Sequence, residues 1–306
     1  MPGWSHVYRS VKMEAKIGAD TDRTLASAAG DLHAAEVTGG ERFEFGENWR
    51  RFLSVLDNTR IGEAERSLEQ MLGRGALAGK SFLDVGSGSG LFSLAAVRLG
   101  ARRVHSLDVD PGSVACTLEL KRRYLPAAER WTVERASVLD RPYLAALGTW
   151  DIVYSWGVFH HTGDMWKAMA HVDKLVAPDG RLFIALYNDQ SRKSRIWRAI
   201  KRTYNLLPRP LRPAFVVIVM APREALAAAS DLARMRPMAY ARRWTEYKRS
   251  RGMSRWHDLV DWVGGYPFEV AKPDDVFRFY RERGFQLVEL VTRTSGCNEY
   301  VFVRRG

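Results

Sequence analysis

From residue 80 onward the chain alternates between two hydrophobic patterns. Short apolar runs at 82–85, 104–108, 131–135, 151–156 and 180–187 each have the length of one strand. Between them, apolar residues recur at helical spacing over 91–99, over 111–124 with proline in the first turn, and over 165–176. The last of these ends at Ala177-Pro178-Asp179-Gly180, a stop-and-turn signal. Strands and helices in alternation predict a parallel sheet covered by helices. Near the end of the chain, 274–283 reads as a helix, and 285–294 and 298–304 as two more strands.

Two stretches lie outside this alternation. Residues 1–79 read as helical in their second half, where Phe52, Val55, Leu56, Leu68, Met71 and Leu72 are spaced to face a core. The first ~35 residues are small and polar enough to be partly disordered. Residues 188–268 interrupt the alternation with further helical pattern. The organisation read from the chain is therefore an N-terminal helical segment (1–79), a core (80–187), a helical insertion (188–268) and a completion of the core (269–306).

The chemistry begins where the first apolar run meets its helix, at Asp84-Val85-Gly86-Ser87-Gly88-Ser89-Gly90. Glycines at alternate positions allow a tight turn and close approach of a ligand. The spacing G-x-G-x-G departs from the dinucleotide fingerprint G-x-G-x-x-G, which argues against a pyrophosphate ligand. The second apolar run ends in Asp108, followed by Val109-Asp110-Pro111. A carboxylate there can accept two hydroxyl hydrogen bonds at once.

The glycine turn with Asp84 and Asp108 resembles the class I S-adenosylmethionine-dependent methyltransferases. The resemblance implies a Rossmann-like, seven-stranded, mostly parallel sheet closed by an antiparallel pair. It also implies S-adenosylmethionine as cofactor. Asp84 would face the amino-acid end of the cofactor, and Gly86, Ser87, Gly88 and Gly90 would make room for its body. Asp108, with Val109 beside it, would hold the ribose, and Ser137 and Val138 would flank the adenine. Asp140 would either accept from the adenine amino group or cap the next helix. Phe45 and Trp49, in an aromatic and charged stretch, would cover the methionine end or pack on the sheet edge.

After the fourth strand comes Ser155-Trp156-Gly157-Val158-Phe159-His160-His161-Thr162-Gly163-Asp164. It most closely resembles the small-molecule branch of the family, the quinone and natural-product methyltransferases. Ser155 and Trp156 would then line the sulfonium, and Phe159 the acceptor. Methyl transfer from a sulfonium is an in-line displacement governed by alignment and exclusion of water. A base matters when the acceptor has a proton to lose, and His161 or His160 is the candidate, the alternative being that one of them packs in the core. Tyr187, Asn188 and Tyr266 are candidates for acceptor contacts. Adjacent histidines point apart and no acid–histidine cluster accompanies them, so no metal is expected.

Composition locates the charge. The formal net charge is +12, yet residues 191–260 alone hold 17 basic and 4 acidic side chains, leaving 30 basic and 31 acidic elsewhere. The core is neutral and the insertion carries the basicity. An anionic small acceptor under a lid is one reading; a homodimer element is another. An RNA methyltransferase is the runner-up, because arginine and lysine are interleaved there with Trp197, Tyr204, Tyr240, Trp244, Tyr247 and Trp256. A non-catalytic binding protein on the same fold is the third. Two cysteines, Cys116 and Cys297, give no disulfide scaffold or zinc spacing. No apolar run approaches the ~18 residues of a membrane span, and no secretory h-region is present, so the cytoplasm is the expected compartment.

Overall fold

The structure, a computed structural model, describes residues 33–54, 56–127, 129–236, 238–239, 242 and 255–306. The stretch expected to be disordered lies largely outside the described residues, as do Val55, Tyr240, Trp244 and Tyr247; residues 33–38 are helical.

Seven strands form one sheet: β1 (Ser81–Val85), β2 (Arg103–Asp108), β3 (Trp131–Arg135), β4 (Trp150–Trp156), β5 (Val176–Tyr187), β6 (Phe285–Val291) and β7 (Cys297–Arg304), in the order β3-β2-β1-β4-β5-β7-β6. β1 to β5 run parallel, and β7 lies antiparallel to both β5 and β6. The expected antiparallel closure and seven strands are both present.

One sheet face is covered by α2 (Asn58–Leu72), α3 (Leu91–Arg98) and α4 (Pro111–Tyr124), the other by α5 (Arg141–Ala146), α6 (Met165–Val172) and α10 (Pro273–Arg281). Strand side chains alternate between these layers. In β1, Phe82 packs with Leu68, Leu94 and Leu120 on one face, while Leu83 and Val85 pack with Met169 and Val172 on the other. Asp84 shares the Phe82 face, which brings it over α3. Strand order reverses between β1 and β4, and a crevice opens at such a point at the carboxyl ends of the strands.

One predicted boundary moves. The helix expected over 165–176 ends at Val172 and gives way to a 3-10 turn, Asp173–Leu175. β5 starts at Val176, paired with Trp150, and the stop-and-turn residues loop out within it before Arg181 pairs with Ile152. Asp179 takes a left-handed φ of 58° there. The turn chemistry was legible, but it serves an irregularity inside the strand.

The insertion supplies α7 (Arg192–Leu206), α8 (Arg212–Ala233) and α9 (Arg255–Gly264). It leaves and rejoins the sheet at one place, where Asn188 bridges Ala271. Its helices build a small core of their own from Tyr204, Val216, Met220, Leu259 and Val263, which also receives Phe43 from the N-terminal segment. Trp197, Tyr204 and Trp256 pack in or against this core. These aromatics, read from sequence as a base-stacking set, are turned inward. Val217, Ile218 and Leu226 of α8 are exposed.

Candidate active site

The glycine turn between β1 and α3 has backbone that only glycine holds easily: φ is 82° at Gly86, 54° at Gly88 and 78° at Gly90. A Cβ on Gly86 would meet Val158 at 2.4 Å, and one on Gly88 would meet the Trp49 indole at 3.0 Å. The bare turn thus lets the β4 loop and the N-terminal segment close over it. Gly90 instead faces Thr117 of α4, at 2.8 Å from a built Cβ.

Asp84 is buried, and its Oδ2 accepts from Ser93 Oγ at 2.6 Å. Ser93 and Ser106 hydroxyls are 2.6 Å apart, and Trp131 Nε1 donates to Ser106 Oγ at 2.8 Å. An indole N–H only donates, so each hydroxyl proton is passed one way, from Trp131 toward the carboxylate. Burial pushes the Asp84 carboxyl up to about 7, the Ser93 hydrogen bond opposing and the Asp108 charge adding to the rise. Asp108 accepts from Gly88 N at Oδ2 and from Asp110 N at Oδ1, each at 2.9 Å, and burial pushes it up to about 6.

Asp110 was not singled out from sequence. Its Oδ1 accepts from Gly112 N and its Oδ2 from Gly46 N, each at 2.7 Å. One carboxylate therefore serves the N-termini of α4 and of α1 (Gly46–Leu53), where both free N–H groups and helix dipoles favour it. The Asp-Pro-Gly sequence was a readable helix-cap signal; its second partner, 64 residues away, was not.

α1 and the residues before it form a strap across the crevice. Arg42 donates to the carbonyls of His161 at 2.8 Å and Thr162 at 3.3 Å, and is paired with Glu36. Beneath the strap lies a cleft of about 400 Å³. Asp84, Gly86, Ser87, Gly88, Asp108 and Val109 line its floor, Ser137 and Val138 one wall, and Trp156 and His161 another, with Phe45 and Trp49 above. His33, Arg42, Phe52, Phe92 and Tyr154 also line it, none of them expected from sequence. No spacing signal marks these five; their positions follow from the sheet register and the strap.

The remaining candidates lie elsewhere. Ser155 is buried and donates to Val85 O at 2.9 Å, tying β4 to β1. Phe159 is fully buried in the main core. Asp140 accepts from Tyr143 N and caps α5. His160 is buried behind the cleft with its ring 3.9 Å from that of Tyr187, and its Nδ1 accepts from Tyr187 N at 3.3 Å. Asn188 donates to Arg293 O at 2.9 Å. Tyr266 contributes its carbonyl, which accepts from Phe43 N at 2.9 Å.

His161 differs from its neighbour. Its Nδ1 lies 2.6 Å from Pro267 O. A carbonyl only accepts, so Nδ1 carries the proton and Nε2 holds a free lone pair. Burial, reinforced by the charge of Lys201, drops its pKa to about 3. It is a neutral base at any ordinary pH, packed on Phe45 at 4.9 Å between ring centres. Lys201 is itself buried, donates to Trp262 O at 2.7 Å, and is lowered to about 7 by burial against the pull of Asp261. Among the described residues no group of histidines, cysteines and acids is placed to hold a metal ion.

The family described as "Methyltransferase domain" matches residues 83–182, which span β1 to the middle of β5 and hold the glycine turn, Asp84, Asp108 and the histidine loop. Over that stretch the chain is similar to a methyltransferase domain. The ribosomal protein L11 methyltransferase of Anoxybacillus flavithermus is 32% identical over 114 residues, covering 33% of this chain and 36% of that protein. The protein of the same name from Alteromonas mediterranea is 49% identical over 80 residues, or 22% and 27% of the two chains. The chain thus spans about a third or less of the length of these relatives. Among solved structures, magnesium protoporphyrin IX methyltransferase from Synechocystis, crystallised with bound SAM, gives a TM-score of 0.46 at 13% identity over 80% of this chain and 79% of that one. The N-methyltransferase NodS from Bradyrhizobium japonicum gives 0.45 at 15% identity over 82% and 99%.

Proposed function

We propose that the protein transfers a methyl group from S-adenosylmethionine to a small, anionic acceptor. The observation that carries this reading is the cleft itself: a buried carboxylate from β1 and a half-buried one from the end of β2 flank the glycine turn under an aromatic roof. Its volume of about 400 Å³ falls within the ordinary range for small-molecule clefts, and it lies at the strand-order reversal. Both carboxylates retain lone pairs. Asp84 Oδ1 has no partner among the described residues, and each Asp108 oxygen can accept one more hydrogen bond. Asp84 suits an ammonium and Asp108 a pair of ribose hydroxyls, with Ser137 and Val138 as adenine contacts.

The sulfonium of the cofactor supplies the electrophilic methyl. What the chain contributes is position, dryness and a proton acceptor. Phe45, Trp49 and Phe52 exclude water from the floor of the cleft. His161, kept neutral by burial and by the charge of Lys201, has its proton fixed on Nδ1 by the Pro267 carbonyl, so that Nε2 is the lone pair offered to an acceptor hydroxyl. The basic insertion favours an acceptor with carboxylate or phosphate, since a low-dielectric cleft strengthens such attraction. The inward packing of Trp197, Tyr204 and Trp256 weighs against RNA as the acceptor.

Calorimetry with S-adenosylhomocysteine tests the cofactor half. Binding in the micromolar range is expected, and Asp108→Ala should weaken it by about 1–3 kcal/mol, the cost of leaving hydrogen-bonded groups without a charged partner. No heat with this ligand would sink the proposal.

A further inference from the structure

Among the described residues, nine of the fourteen exposed large apolar side chains fall within 196–238, inside the basic insertion, and most of these belong to α8 or its two ends. The buried face of this helix is ordinary: Val216 and Met220 enter the small core, with Phe215 and Val219 packed against it. The outward face is not. Ala214, Ile218, Ala221, Ala225 and Leu232 recur there at helical spacing, all exposed, with Val217 and Leu226 beside them. Ile218 is 69% and Leu226 73% exposed. The charged residues of α8 lie off this stripe. Asp231 is buried and Glu224 half-buried, Arg212 donates to Asn205 O and Leu207 O, and the Arg223 guanidinium sits 4.5 Å over the Trp262 ring. A surface helix normally turns charge outward and apolar residues inward. Single exposed leucines are commonplace, but a continuous apolar stripe marks a surface that meets something.

The ends of the stripe decide what that is. Arg209 precedes α8 and Arg234 and Arg236 follow it, all three exposed. A second copy of the chain would lay α8 on α8. Antiparallel helices put Arg209 of one copy against Arg234 and Arg236 of the other, and parallel helices put each arginine against its counterpart. Neither acid of α8 lies on the stripe to offset this repulsion. The charge around the stripe therefore selects an anionic partner. A bilayer with acidic headgroups offers apolar chains and phosphates side by side. Arginine suits that boundary, because its stem lies on apolar material while the guanidinium reaches a phosphate. The helix has 22 residues, about 33 Å at 1.5 Å per residue, room enough for such a contact. Among the described residues no helix is long and apolar enough to cross a membrane, which leaves docking in the plane of the surface. We propose that α8 docks the protein on an anionic lipid surface, its apolar stripe among the upper acyl chains and Arg209, Arg234 and Arg236 on lipid phosphates. The inference goes beyond the methyl-transfer reading and does not depend on it.

Sedimentation of the full chain with lipid vesicles tests this, with no cofactor present. Vesicles of phosphatidylcholine alone are compared with an equimolar mixture of phosphatidylcholine and phosphatidylglycerol. The chain should bind the mixed vesicles, bind the neutral ones more weakly by about tenfold or more, and come off the mixed ones as salt is raised. Ile218→Glu combined with Leu226→Glu should weaken binding to the mixed vesicles by about a hundredfold, because two large apolar side chains no longer leave water. Both positions are exposed, so this variant should keep the wild-type melting temperature. Arg209→Glu combined with Arg234→Glu should bind the two kinds of vesicle alike. Wild-type chain that binds neither vesicle would overturn the proposal, and so would an Ile218→Glu, Leu226→Glu variant that binds the mixed vesicles as the wild type does. Light scattering and melting then name the true occupant. A wild-type dimer that this variant splits assigns the stripe to a second copy, and a variant monomer that melts lower assigns it to another part of the same chain; either result replaces the lipid surface.

Discussion

At the scale of single residues, the site is governed by burial acting on charge. Asp84 stands at about 7 in the folded chain against an ordinary 3.8, so the folded state keeps a proton that the unfolded chain has released. Between those values Asp84 makes the unfolded state bind fewer protons, so its own contribution to ligand-free stability falls as pH rises from about 4 toward 7. His161, lowered from 6.5 to about 3, contributes in the opposite sense below about 6.5. A ligand ammonium needs the ionised Asp84 carboxylate and reverses the trend of that residue. S-adenosylhomocysteine should therefore bind about tenfold more weakly at pH 6 than at pH 8, and its thermal shift should grow over that window. An affinity that is flat between those pH values would remove Asp84 from the ligand's ammonium. His161, at about 3, stays neutral from pH 6 to 8 and adds nothing to the pH dependence of binding. The two carboxylates were legible because acids adjoining a glycine turn stand out in sequence. Tyr154, which also lines the cleft, was not, because a tyrosine in an apolar strand reads as core.

At the scale of elements, the strap is the part that the hydrophobic pattern announced least. Strands and helices of the core came through because burial on both faces imposes a period on every one of them. α1 has only eight residues, and what fixes it is the Asp110 carboxylate together with the close meeting of two glycines. A Cβ on Gly46 would lie 2.6 Å from Asp110 Oδ1 and 2.8 Å from Gly112 Cα. Gly46→Ala should thus lift the strap while leaving the sheet intact. Hydrogen exchange is expected to speed up over residues 43–53 alone, with weaker S-adenosylhomocysteine binding and little change in melting temperature. Asp110→Ala removes a helix cap as well, and should cost a further ~1–2 kcal/mol of stability. Unchanged exchange in Gly46→Ala would show that the strap is held by its aromatic contacts instead.

At the scale of the whole molecule, a neutral core carries a basic appendage in which Trp197, Tyr204 and Trp256 turn inward. The position of this insertion and its helical content were readable; the destination of its aromatics was not, since an inward and an outward tryptophan look alike along a chain. Two measurements follow. RNA should not bind tightly at roughly 0.15 M salt. A protein contacting 6 to 10 phosphates would instead lose about 10³-fold or more between 50 and 200 mM salt. Deleting 191–260 should abolish methylation of any acceptor and also weaken S-adenosylhomocysteine, because Phe43 of the strap loses the core that receives it. Cofactor affinity equal to wild type in this deletion would separate the strap from the insertion.

Four consecutive residues where the insertion rejoins the core make main-chain hydrogen bonds to the strap, the histidine loop and α7. Tyr266 O accepts from Phe43 N, Pro267 O from His161 Nδ1, Phe268 O from Arg198 Nε, and Glu269 N donates to His160 O. Each of these four residues takes part through a main-chain atom: three through a carbonyl, which every amino acid supplies, and Glu269 through an N–H, which only proline lacks. The placement of His161 is consequently inherited separately from the choice of acceptor. The outward side chains of the insertion can therefore be exchanged without moving His161.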